Sequence, residues 1–231
     1  SFYRKMTKIK QEIYTYLKQY KELYGNDIFI GYDEFSLFTS LNKIDYTKKN
    51  KLNKFENEIS LCDKCDIAVN RNNFVFGAGD PEADLFLVGE ASTHQEEIHG
   101  IPFVGKIGSL LDNILFAINK SRKKGVYIAN ILKCKLPKNR DPLSKEIQNC
   151  VPYLKKQINI ISPKLIVVMG KVAAKALLDI ETGFNEMRNI TYEYCGYPLR
   201  VTYHPAALLR NSDLKKPAWD DFKWVMNYLN K

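Results

Sequence analysis

The sequence predicts an α/β fold in three αβα layers around a central four-stranded parallel sheet. Three observations predict it. Short apolar runs recur from Asp84 onward, a turn and a helix-length segment follow each run, and glycine or polar residues stand where the runs end. Strands that alternate with helices imply right-handed crossovers and a parallel sheet covered on both faces.

The strands read this way are Leu85 to Val88, Val126 to Ala129, Leu165 to Met169 and Leu199 to Thr202. The helices between and after them cover 106–119, 144–161, 171–178 and 218–230. Upstream, Ile9, Ile13 and Leu17 fall at helical spacing before a stop at Gly25, and residues 50–61 read as a short helix leading into Cys62. Residues 1–57 therefore read as a basic helical extension and 58–231 as the main domain. Ligands of doubly wound sheets bind beyond the carboxyl ends of the strands. Those ends hold Gly89-Glu90, Asn130, Gly170 and His204.

A chain of 231 residues suffices for one well-buried α/β domain with a small appendage. Its apolar runs are strand-length, and it opens without the apolar core or cleavage site of a signal peptide. A soluble, cytoplasmic, monomeric protein with no membrane role is expected; protein partners are not legible. The net charge of +9 and a pI near 9.1 favour a polyanionic partner, nucleic acid first, because Lys and Arg on phosphates release condensed counterions. A solvated basic surface gives the same numbers.

Five cysteines without an export signal argue against a disulfide framework. Cys62 and Cys65 form C-x-x-C, Cys134 lies four residues past Asn130, and Cys150 sixteen further on. The set suits a four-thiolate site that clamps the chain before the first strand to the loop after the second. Zinc and a [4Fe-4S] cluster both fit this spacing, as do four buried small hydrophobes. Cys195 has no partner in the pattern and reads as an ordinary thiol.

The run GEASTHQEEIHGIPFVG (Gly89 to Gly105), together with YIANILKCKLPKNR and YHPAALLRN, resembles the family 4 uracil-DNA glycosylases, which carry an iron-sulfur cluster. The resemblance covers roughly residues 58–230 and includes the order and spacing of the four cysteines. It implies that Cys62, Cys65, Cys134 and Cys150 hold a [4Fe-4S] cluster, that uracil-containing DNA is the substrate, and that the fold is glycosylase-like. The implied activity is base-excision repair of DNA: hydrolysis of the N-glycosidic bond, leaving an abasic site.

The resemblance then implies a chemical task for each matched residue, as follows. A glycosylase must flip its target into a pocket and read it by stacking and edge hydrogen bonds. Phe103 supplies the stacking face, beside Gly89 and Ala91. Asn130 offers a donor and an acceptor to the O4 and N3 edge of uracil, a pattern that cytosine reverses. His204, helped by backbone N–H groups after Glu90, donates to O2 as negative charge builds there. Glu90 orients a water or stabilises the cationic sugar, with Glu96 and Glu97 as second candidates. Arg210 contacts phosphate, Leu208 or Leu209 wedges into the vacated stack, and Lys133, Lys135, Lys138 and Arg140 form a basic loop.

Two departures stand out. Ser92-Thr93 replaces the family's Pro-Gly, which predicts a reshaped loop and raises the alternative of a catalytically weakened or inactive iron-sulfur relative that binds DNA. Glu97 stands where Asp is usual. Residues 135–149 contain neither a His nor the added basic loop through which a related branch bonds covalently to the sugar. Release of an abasic product is therefore expected, and an SDS-stable adduct with uracil-containing DNA would contradict that. The lack of a Lys at a matched catalytic position predicts no strand cleavage.

Overall fold

The computed structural model describes Thr47–Lys231 except Asn70 and Glu181, together with Thr15. The chain divides into two units, Ser1–Tyr46 and Thr47–Lys231. The helix read from Ile9, Ile13 and Leu17 lies outside the described residues.

Helix α1 (Lys48–Ile59) starts at Thr47, whose Oγ1 accepts the Asn50 N–H. Its apolar stripe, Leu52, Phe55 and Ile59, is buried in the core of this unit, with Phe55 edge-on to Phe76 and Tyr153. The compact unit thus begins at Thr47 and takes in residues that pattern alone assigned to the extension.

Among the described residues six strands form one sheet: β1 (Ala78–Gly79), β2 (Leu85–Ser92), β3 (Val126–Lys135), β4 (Leu165–Met169), β5 (Tyr192–Tyr194) and β6 (Tyr197–Thr202). Their spatial order is β1-β3-β2-β4-β6-β5. The inner four are mutually parallel and are the four strands expected; β1 and β5 add antiparallel edges. These edges span two and three residues, too short to show a period in sequence.

Alternation along each strand divides the core. Phe86 and Val88 face α1 and α4 (Ser144–Ile161), while Leu85 and Leu87 face α3 (Gly105–Ala117) and α8 (Lys215–Leu229). Helix α5 (Lys171–Leu178) follows β4. Three one- to two-turn helices, α2 (His94–His99), α6 (Phe184–Asn189) and α7 (Pro205–Arg210), were not legible in the pattern.

Two strands run past their expected ends, and this shapes the site. Pairing of β2 with β4 stops at Val88↔Val168, whereas β2 and β3 continue together through Gly89↔Asn130 and Ala91↔Leu132. Glu90 and Asn130 therefore sit inside a projecting two-stranded ribbon. A bulge then pairs Ser92 with Lys135.

Candidate active site and four-thiol centre

A cleft of about 1100 Å³ opens over the carboxyl ends of the parallel strands. Of the residues anticipated from sequence, Glu90, Ala91, Glu96, Phe103, Asn130, His204, Arg140 and Arg210 line it.

Asn130 is 1% exposed, and its Nδ2 donates to Oε2 of Glu96 at 2.9 Å. That bond fixes which way the amide points, leaving one N–H and the Oδ1 for a ligand. Gly89 makes the seat: a Cβ there would collide with Asn130 Oδ1 and stand 2.8 Å from Cε2 and Cζ of Phe103. Gly89 thus contributes by absence of a side chain beneath two that matter and does not itself line the cleft.

Phe103 has φ +55°, a left-handed backbone that costs a non-glycine residue roughly 1–3 kcal/mol unless its surroundings impose it. Here Arg122 imposes it. Its guanidinium donates to the carbonyls of Pro102 (2.7 Å) and Phe103 (2.5 Å) while pairing with Asp112 at 2.6 Å. Gly108 leaves room for the Phe103 carbonyl. The Phe103 ring lies 5.3 Å from the His204 ring, tilted by 32°. Sequence reasoning missed Arg122, which lies far along the chain and in no motif.

His204 precedes α7, and its Nδ1 accepts the Ala206 N–H at 3.1 Å. Nδ1 is therefore unprotonated, and Nε2 carries the hydrogen. Burial, and secondarily the charge of Arg210, lower its pKa to about 4, so the imidazole is neutral at pH 7. The result is a neutral donor in the cleft.

Glu90 is half-buried, and desolvation, with Asp141 nearby, holds its carboxyl above the ordinary range. Glu96 is 4% exposed and is likewise raised by burial. Thr93, one of the two departures in this loop, caps α2: its Oγ1 accepts the Glu96 N–H. The substituted loop is thereby tied to the residue that orients Asn130. Ser92 lines the cleft with a buried Oγ that has no protein partner.

Several expectations for the basic and wedge residues need correction. Leu208 is buried under α7 and unavailable as a wedge; its neighbour Leu209 is 49% exposed at the cleft. Lys133 is fully buried rather than part of a surface loop, because alternation along β3 puts it on the face of Tyr127, Ala129 and Ile131, towards α4, where Nζ donates to Asn130 O (2.8 Å) and Gln157 Oε1 (2.6 Å). Lys135 pairs with buried Glu97 at 3.6 Å and lines a separate cavity of about 270 Å³. Arg140 lines both cavities and is held in a two-pronged pair by Glu146. Glu97, paired away in this manner, does not line the cleft.

Cys62 and Cys65 follow α1, Cys134 is near the end of β3, and Cys150 lies in the second turn of α4. They are close enough for Cys134 to feel Cys62 and Cys65, and for Cys150 to feel Cys134 and Cys65. Burial raises the thiols of Cys134 and Cys150, the latter to about 11. Each sulfur has its own donor. Tyr153 Oη donates to Cys62 (3.2 Å), Asn149 Nδ2 to Cys65 (3.3 Å), Arg71 Nη1 to Cys134 (3.4 Å), and the Lys133 backbone N–H to Cys150. Such donors suit thiolates that carry a metal group. Among the described residues no three His, Cys, Asp or Glu side chains converge on one ion.

Over residues 76–223 the sequence matches the profile of the uracil DNA glycosylase superfamily. It is 39% identical over 176 residues to a Type-4 uracil-DNA glycosylase of Archaeoglobus fulgidus, covering 73% of this chain and 88% of that protein. Similar proteins of the same description occur in Sulfurisphaera tokodaii (38% over 184 residues, 76% and 84%) and Saccharolobus solfataricus (35% over 189 residues, 78% and 88%).

Proposed function

Because the chain belongs to the uracil DNA glycosylase superfamily, in its type-4 branch, we propose that it excises uracil from DNA by hydrolysis of the N-glycosidic bond. The observation that carries this reading is the Glu96-fixed amide of Asn130 facing the same cleft as the neutral donor His204.

Uracil stacked in DNA is out of reach, so the nucleotide is rotated into the cleft. Asn130 has one N–H and one Oδ1 left after Glu96 takes the other N–H. These match the O4 acceptor and N3–H donor of uracil. Cytosine presents a donor and an acceptor in the reverse order and leaves both Asn130 groups unpaired, the kind of mismatch that discriminates strongly. Glu96 thus acts as a positioning residue. Phe103 supplies the apolar floor.

As the bond from N1 to C1′ lengthens, its electron pair moves into the uracil ring and charge collects on O2. His204 Nε2–H donates to that oxygen and, being neutral, stabilises the anion without having to transfer its proton. Glu90, ionised, faces the positive sugar and orients a water whose oxygen bonds to C1′ and whose proton passes to the Glu90 carboxylate, while the departing uracil anion takes a proton from solvent. Backbone N–H groups after Glu90 assist. Arg210 holds phosphate, Leu209 fills the vacated stack, and Arg140 adds charge at the rim. Cys62, Cys65, Cys134 and Cys150 would hold a [4Fe-4S] cluster. When bound, it would supply a structural cross-link between the start of the unit, β3 and α4, and no reacting group.

Two variants separate reading from chemistry. In single-turnover excision from an oligonucleotide with one deoxyuridine, His204→Ala is expected to lose roughly 10²–10³-fold in kcat with little change in binding. Asn130→Ala is expected to lose much of the preference for uracil over cytosine. Equal activity of wild type and His204→Ala would overturn the assignment.

A further inference from the structure

The cleft is larger than one base requires. At about 1100 Å³ it exceeds the roughly 300–1,000 Å³ of sites that enclose whole drug-sized ligands. The uracil-reading residues occupy the part over β3 and β2, with His204 beside them. Past His204, over β6, the wall is aromatic: Phe184 of α6 and Tyr203 line it, with rings 5.2 Å apart and edge-to-face at 69°. Both rings are half-buried.

This wall is held rigid. Tyr203 Oη donates to Asn185 Oδ1 (2.9 Å) and accepts from Arg188 Nη1 (3.1 Å), and the Arg188 guanidinium lies 4.3 Å over its ring. Arg188 is in turn pinned by both oxygens of Asp221 (2.9 and 3.0 Å) and by the Pro217 carbonyl. The ring pair is half-exposed, while the ion pair that fixes it is largely shielded, with side chains 11% and 10% exposed. Lys171 and Arg210, both exposed, line the same cleft and supply positive charge along its length. Rigid aromatic faces in a cationic groove are what single-stranded nucleic acid stacks on.

We propose that Phe184 and Tyr203 form a second base subsite, which stacks an unpaired base adjoining the uracil, with Phe184 presenting the ring face. The proposal rests on the glycosylase reading for the identity of the strand. A neighbouring base can leave its own stack most readily in single-stranded DNA, so that is the form in which the subsite is filled.

Binding tests it. The probe is a single-stranded oligonucleotide with one 2′-fluoro-deoxyuridine, whose glycosidic bond resists hydrolysis. Two further probes replace the nucleoside on its 5′ or its 3′ side with a tetrahydrofuran spacer that lacks a base. Wild type is expected to bind one spacer probe about 10-fold more weakly than the full probe, within the range that loss of one stacked base gives. Phe184→Leu, which keeps apolar contact with the core but has no ring, is expected to bind the full probe that much more weakly and to be indifferent to the same spacer. Phe184→Trp is expected to restore the dependence. Equal weakening of Phe184→Leu on all three probes, or no spacer effect in wild type, would overturn the proposal. Because the readout is affinity, spacer dependence in a protein that never releases uracil would instead sink the glycosylase reading alone.

Discussion

Asn130 and His204 are both defined by what they bond to inside the protein. His204 gives its Nδ1 to Ala206 and stays neutral down to about pH 4, so its donor capacity is constant across the physiological range. Glu90 behaves oppositely: burial raises its carboxyl, and the ionised form it needs is lost as pH falls. Single-turnover rates are therefore expected to fall on the acid side, through a value above the ordinary carboxylate range, and Glu90→Gln to lower the plateau and remove that limb. An acid limb near 6.5, the ordinary imidazole value, that persists in Glu90→Gln would contradict a neutral His204. Glu96→Leu is expected to release the Asn130 amide and to narrow the preference for uracil over cytosine, measured as the ratio of excision rates, while His204-dependent chemistry persists. Asn130 and His204 were legible in sequence because they follow apolar strand runs, and Phe103 because it sits in the GIPFVG motif. Glu96 was legible as a carboxylate but not as the partner of Asn130, since that pairing spans 34 residues and depends on the register of β2 with β3.

Among the elements, the inner four strands were readable because each is an apolar run bounded by turns. The short helices were not, as α2, α6 and α7 are six residues each and lack a full amphipathic period. They matter nonetheless: α2 carries Glu96, α6 carries Phe184 and α7 follows His204. Thr93 shows how a departure in sequence can be absorbed locally. Its hydroxyl caps α2, so Thr93→Ala is expected to cost about 0.5–2 kcal/mol in denaturant unfolding and to loosen the uracil preference. Unchanged stability and specificity would show that the cap is idle. The loop that carries Phe103 depends in the same way on Arg122, whose two bonds to consecutive carbonyls impose the left-handed turn. No local pattern signals such a clamp.

Across the whole unit, the four thiols lie on segments that the sheet alone leaves apart: the stretch after α1, the end of β3 and the start of α4. Metal binding at such a site contributes folding free energy directly. Cys150→Ala is expected to abolish the iron and sulfide content and the brown colour and to lower the melting temperature, beyond what a lost buried thiol explains. A colourless wild type that holds zinc instead would contradict the cluster. The cysteine spacing pointed to a four-thiolate centre. The donors Tyr153, Asn149 and Arg71 became visible only with α1 and α4 packed together. The charge of +9 was legible from composition, though not its distribution: Lys133 is buried and Arg140 is tied to Glu146. Uracil excision is tested most directly by incubating the protein with an oligonucleotide that carries one deoxyuridine, at several salt concentrations, then quantifying free base and alkali-labile sites. Free uracil equal in amount to the abasic sites, with the backbone intact before alkali and no release from the deoxycytidine control, is the predicted result. No free uracil from folded, iron-loaded protein at any salt would contradict it.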